Sequence, residues 1–191
     1  LPAHLQVRAV EPPLPTEESL RALLDLDTGP TRVSLLTTSS QRTGSGVLGH
    51  NSVVIEWANG EIVLIDAGMD EAAAVEFGEL IGSMRGDAEQ PEIYGNIAQL
   101  LGADIDRVKA VGFTHLHIDH SQGVVNFCAA RGEGASLLQT TYQRDLHNFN
   151  TTEGAALIAS SCLRQDIVEG DGLMQFARFP GLALYPLGGH T

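Results

Sequence analysis

The period of the apolar positions changes several times along the chain, and each change marks an element. The runs "TRVSLLT" (31–37), "SVVIEW" (52–57) and "EIVLIDA" (61–67) are rich in β-branched and apolar residues, and "ANG" at 58–60 separates the last two by hairpin distance. They predict an opening β-meander. Helical spacing follows: Asp70 stands at an N-cap position ahead of a helix reaching about Met84, and Ile93, Ile97, Leu100 and Leu101 recur at helical intervals up to Gly102. Further on, "RVKAVGFT" (107–114) reads as a buried strand, "SQGVVNFCAARG" (121–132) as a helix closed by Gly132, and "ASLLQT" (135–140) as another strand. Such β-α-β alternation belongs to the α/β class. Residues 154–163 read as helix and "GLALYPLGGHT" as a strand running into a glycine pair.

Ahead of the meander, residues 1–15 carry three prolines between positions 12 and 15 and little periodicity, which predicts an extended N-terminal arm. The domain proper then spans 16–191 and begins with a helix that Thr16 caps and that Glu17 and Glu18 favour in its first turn. At 191 residues with 43% hydrophobic content, the chain is expected to bury a real core in one domain. No window approaches a membrane-spanning run, so no membrane partner is expected. A net charge of −13 repels a phosphate backbone, and no Lys/Arg cluster overrides it, so nucleic acid is excluded as a partner. Cys128 and Cys162 read as ordinary small hydrophobes rather than a disulfide framework. The start at Leu1 rather than Met fits a removed leader and leans toward an exported, periplasmic protein.

Two motifs carry candidate chemistry. "TGSGVLG" gives Gly44, Gly46 and Gly49 the spacing of a dinucleotide fingerprint, but strand rather than helix follows it, so it reads as a glycine-rich turn between β elements. "FTHLHIDHSQG" (113–123) is different: three histidines and an aspartate occupy six consecutive positions in a chain with seven histidines. On an extended strand His115 and His117 point to one face and converge on one ion, while Asp119 and His120 lie past the strand and face a second. Two divalent ions sharing a hydroxide point to hydrolysis. His4, His50 and His147 have no partner motif and read as structural.

"THLHIDHSQG" resembles the HxHxDH signature of the metallo-β-lactamase superfamily of metal-dependent hydrolases. "NSVVIEWANGEIVLIDAGM" is similar to that family's opening hairpin with its strand-end aspartate, and "YPLGGHT" to a later segment with one further ligand histidine. The resemblance implies an αβ/βα sandwich, of which this chain covers the N-terminal half to two-thirds. It implies that His115, His117 and His190 hold one ion, that Asp119 and His120 contribute to the other, and that Asp66 orients the site by hydrogen bonding. Asp119 would also orient the hydroxide or relay its proton. Zinc, as one or two ions, is the expected cofactor, and iron or manganese suits the same donors.

Family members usually continue beyond the GHT segment, whereas this chain stops at Thr191. The expectations are a fragment, a domain completed by a second chain, or a shortened homologue. The function expected is a metal-dependent hydrolase in which a metal-activated hydroxide attacks an ester, lactone, amide or related bond of a small molecule. The alternative is a non-catalytic or split-chain metal-binding subunit that needs a second polypeptide.

Overall fold

The computed structural model describes residues 15–23, 27–86, 88–145, 149–169 and 172–186. Apart from Pro15 the expected arm lies outside them, as do His4, His147 and His190. Helix α1 (Glu17–Arg21) begins as expected, with the Thr16 side chain accepting from the Ser19 N–H, but it stops after five residues and leaves Leu20 exposed.

The meander is longer than its apolar runs. β1 (Arg32–Thr43), β2 (Gly46–Glu56) and β3 (Ile62–Ile65) pair antiparallel in sequence order. The extra length is largely polar, and on one face it is buried, where Ser39, Gln41 and His50 point inward. Hydrophobic pattern alone therefore ends these strands too early. The expected glycine turn shrinks to positions 44–45, with Gly46 and Gly49 inside β2. After helix α2 (Glu71–Arg85), capped by Asp70, a short β4 (Glu92–Ile93) joins the far edge of β1. Helix α3 (Ile97–Leu101) then starts from an Asn96–Gln99 capping box and leads through a 3₁₀ turn into β5 (Val108–Gly112).

From β3 onward the pairing is parallel. β5, β6 (Ser136–Thr140) and β7 (Arg164–Val168) add in turn, giving one seven-stranded sheet in the order β4-β1-β2-β3-β5-β6-β7. Between β5 and β6 lie α4 (Ile118–Ser121) and α5 (Val124–Arg131). Between β6 and β7 lie α6 (Thr141–Asp145) and α7 (Phe149–Ala159). A central parallel strand is covered on both faces, and β3 shows it: Ile62 and Leu64 enter the helix-side core while Val63 enters the other. The second face is partly roofed by the hairpin of β8 (Met174–Gln175) and β9 (Ala183–Leu184), whose Phe179 packs on Trp57. Beyond that roof Val33 and Leu35 are bare, at 62% and 64% exposed.

One expectation is overturned. Cys128 and Cys162 form a disulfide, tying α5 to the segment between α7 and β7. Their separation of 34 residues hides the pairing in the sequence. No helix among the described residues is long and apolar enough to cross a membrane.

Candidate metal centre

Parallel pairing of Ile65 with Gly112 brings the C-terminal ends of β3 and β5 side by side, and both chains leave the sheet there. Asp66 is the first residue beyond β3. Its φ of 64° is the single left-handed value at a non-glycine position among the described residues. A backbone held there costs on the order of 1–3 kcal/mol, and such residues concentrate at functional sites. The conformation aims the carboxylate, 4% exposed, across to the other strand end. Oδ1 accepts from the Thr114 N–H at 2.8 Å; Oδ2 accepts from the Thr114 hydroxyl and from His120 Nδ1, each at 2.8 Å.

β5 ends at Gly112, so His115 and His117 lie in a loop and not on a strand. The same-face relation nonetheless survives, because Leu116 between them is driven into the core at 1% exposure and the two imidazoles are left together outside it. Their ring centroids are 4.6 Å apart. His117 is the N-terminal cap residue of α4, its carbonyl accepting from the N–H groups of His120 and Ser121. Asp119 and His120 therefore lie within a short helix, ahead of residue 121 where the sequence predicts helix to begin.

The helical turn swings them back over the loop. Ligating atoms of His115, Asp119 and His120 all lie within 4.8 Å of one another. The grouping thus mixes the two expected sets, with the His115 and His120 rings 4.0 Å apart. His120 Nε2 stands 3.4 Å from Asp119 Oδ2. Two donors about 2.1 Å from a tetrahedral ion are themselves roughly 3.4 Å apart, so this pair is already at a ligating separation.

Burial acts most strongly on His120 and would lower its pKa, but hydrogen bonds to Asp119 and Asp66 outweigh it and hold the ring at about 9. For Asp119, burial again is the largest influence and would raise the pKa; the His120 cation overrides it and the carboxyl sits below its ordinary value. The His120 imidazolium is clasped between two carboxylates, Asp66 at Nδ1 and Asp119 at Nε2. With Nδ1–H taken by Asp66, Nε2 is the nitrogen that a divalent ion would take. Thr114 spends its hydroxyl proton on Asp66, so toward His115 Nδ1, 3.1 Å away, it accepts.

The donor set of imidazoles and a carboxylate fits zinc and equally iron or manganese. Thr114 and Gln122 were not singled out from the sequence. Gln122 clamps the loop after Asp66, donating to Asp70 Oδ2 at 2.9 Å and accepting from the Asp70 N–H at 2.8 Å. Only Thr114's place directly before the first histidine hinted at a role.

A family model described as the metallo-beta-lactamase superfamily matches residues 45–141, a stretch holding Asp66 and the whole 115–120 cluster. No curated protein matches the chain. Among solved structures it is similar to a probable metal-dependent hydrolase from Staphylococcus aureus, at 15% identity and a TM-score of 0.47 over 78% of this chain and 61% of that one. A dizinc quorum-quenching lactonase matches at 12% identity and a TM-score of 0.48, over 74% and 61% of the two chains. A metallo-beta-lactamase from Novosphingobium pentaromativorans matches at 16% and 0.38, over 85% and 59%. The chain thus spans about three-fifths of the length of these structures.

Proposed function

Since the chain belongs to the metallo-beta-lactamase superfamily, we propose that it is a metal-dependent hydrolase of a small-molecule ester, lactone, amide or related bond. The observation that carries this reading is the His115, Asp119 and His120 donor group, gathered within 4.8 Å and anchored by Asp66. When bound, a divalent ion supplies Lewis acidity and lowers the pKa of water toward about 7. On the family's pattern His115, His117 and, outside the described residues, His190 would hold one ion and Asp119 and His120 would contribute to a second, with zinc as one or two ions and iron or manganese suiting the same donors; the grouping seen here also brings His115 within reach of Asp119 and His120. Asp66 keeps His120 in the ligating tautomer, and Asp119 accepts or passes the proton that hydrolysis releases.

A second reading, a non-catalytic or split-chain subunit, draws on the bare sheet face at Val33 and Leu35. On it, the remaining part of the sandwich comes from further residues or from another polypeptide. The Cys128–Cys162 disulfide supports an exported protein, because such bonds persist in oxidising compartments.

Replacing His115 or His117 with alanine is expected to abolish both metal content, measured by elemental analysis, and hydrolysis across an ester and lactone panel. Variants that keep full metal and full activity would overturn the proposal. A parent chain that takes up metal yet hydrolyses nothing would favour the subunit reading.

A further inference from the structure

The Cys128–Cys162 bond links the two helices that back the two sides of the metal centre. Helix α5 stands behind the loop after Asp66. Just ahead of it the Gly123 N–H donates to the Gly68 carbonyl at 2.8 Å, and a Cβ on Gly123 would overlap the Ala67 carbonyl oxygen, so the start of α5 and this loop are seated directly on each other. Helix α7 stands behind the loop that carries His115 and His117. It packs on α4 and α5, and at Gly154 its backbone comes so close that a Cβ there would overlap the Leu116 carbonyl oxygen. Ser121, which the same Cβ would crowd, donates its hydroxyl to the His117 carbonyl at 3.0 Å.

A glycine brings no apolar side chain to such a contact, so the close approach of α7 is held from elsewhere along the helix. Its C-terminal end supplies the hold. The Ser161 hydroxyl donates to the Ile158 carbonyl at 2.7 Å and accepts from the Leu163 N–H at 3.3 Å, which makes the segment after α7 continuous with the last turn. Cys162 lies inside that segment, bonded to Cys128, and its N–H donates to Cys128 Sγ at 3.1 Å. Leu116, Phe127, Ile158 and Leu163 share one core, and both cysteines pack against it. A covalent bond, a helix end and the ligand loop are thus in one unbroken chain of contacts.

We propose that the Cys128–Cys162 bond positions the metal centre: by fixing α7 to α5 it holds Gly154 against Leu116, and so keeps the loop of His115 and His117 in place against α4 and the loop after Asp66. The inference rests on the metal-binding reading above and adds to it a covalent link outside the histidine motif. It separates from a general stabilising role on one point. A disulfide that acts only by restricting the unfolded chain leaves the metal affinity of the folded protein unchanged. One that positions the ligand loop changes it.

The test uses the pair Cys128→Ser with Cys162→Ser, which removes the link without leaving thiols that would themselves take metal. Folding is checked by near-ultraviolet circular dichroism, zinc dissociation constants are measured by competition with a chromophoric chelator, and the visible spectrum of the cobalt-loaded protein reports the ligand arrangement. The folded serine pair is expected to bind zinc about 2–30-fold more weakly and to alter the cobalt bands. The pair Cys128→Ala with Cys162→Val keeps apolar packing and restores no link, so it is expected to match the serine pair; recovery of the parent's constant would assign the effect to packing and overturn the inference. A folded serine pair with the parent's zinc constant and cobalt spectrum overturns it too. Should neither pair fold, hydrogen exchange of the parent decides: Ser121 and Gln122 amides that open together with those of α7 support the link, and amides that open there while α7 stays protected overturn it. A parent protein that binds neither metal removes the underlying reading and this inference together; tight binding by the parent and by the serine pair removes this inference alone.

Discussion

Gly154, in the middle of α7, gives a test in which two physical effects predict opposite signs. Helix propensity favours Gly154→Ala by about 0.8–1.0 kcal/mol. Packing opposes it: a Cβ at this position would overlap the Leu116 carbonyl oxygen and stand 2.9 Å from its carbon and 2.8 Å from Ser121 Oγ. Separations below 3.0 Å essentially do not occur for real Cβ atoms. Neither neighbour can swing aside, because the carbonyl is backbone and the Ser121 hydroxyl is engaged with the His117 carbonyl at 3.0 Å. Overpacking of this kind costs roughly 1–3 kcal/mol and occasionally more, and a backbone obstacle puts it at the upper end. The net expectation is a loss of about 2 kcal/mol, or a melting temperature lower by about 4–8 °C. Leu116 lies between His115 and His117, so the same displacement should weaken metal binding. The control is Gly82→Ala in α2, where nothing lies within 4 Å; it should gain up to about 1 kcal/mol. Thermal and urea denaturation of the three proteins, with chelator competition for zinc, decides the matter. A Gly154→Ala variant as stable as the parent would refute the claim that α7 bears directly on the ligand loop.

Asp66→Asn keeps the shape of the side chain but removes the charge that fixes His120; zinc affinity is expected to fall about 10–100-fold, and an unchanged chelator-competition constant would count against its orienting role. His120 at about 9 keeps its Nε2 proton at pH 7 in the metal-free protein, so metal uptake should release a proton and tighten as pH rises toward 9; calorimetry in buffers of different ionisation enthalpy measures that proton, and a count of zero would contradict the assignment. Because this pKa is raised on folding from 6.5, His120 stabilises the metal-free fold fully below pH 6.5 and loses that contribution as pH climbs through 9; a metal-free stability that rises over this window would be inconsistent with it. The Cys128–Cys162 bond closes a loop of 34 residues, worth about 3–4 kcal/mol in a chain-entropy treatment, and the double serine variant should unfold at correspondingly lower urea; an identical midpoint would rule out a stabilising role.

Most strands and helices are legible from the pattern because their residues obey a local period, and Asp70 and Gly102 mark helix ends by chemistry that acts within a few residues, whereas Ile93, at helical spacing in the sequence, lies in β4 and the helix starts only at Ile97. The polar halves of β1 and β2 are not, since Ser39, Gln41 and His50 are buried by α2 and α4, elements far away in the chain. The strand assigned to His115 and His117 failed for a related reason. β5 ends where its pairing with β3 ends, at Gly112 opposite Ile65, and no local preference of "FTHLH" records that limit.

The histidine cluster itself is a local fact: six consecutive residues carry four donors, and any compact arrangement of them concentrates imidazole and carboxylate in one place. Which donors act together is not local. A helical turn at Ile118, a buried Leu116 and a carboxylate from 54 residues away group His115 with Asp119 and His120 and orient His120. Sequence spacing sets the reach of a side chain along its own element, whereas the direction it points is set by the strand ends, helix contacts and hydrogen bonds that folding brings against it. For that reason the cluster and, through the resemblance, Asp66 are legible in the sequence, while the hydrogen bonds that join Asp66 to Thr114 and His120 and Gln122 to Asp70 become visible only when β3, β5 and the residues ahead of α5 meet.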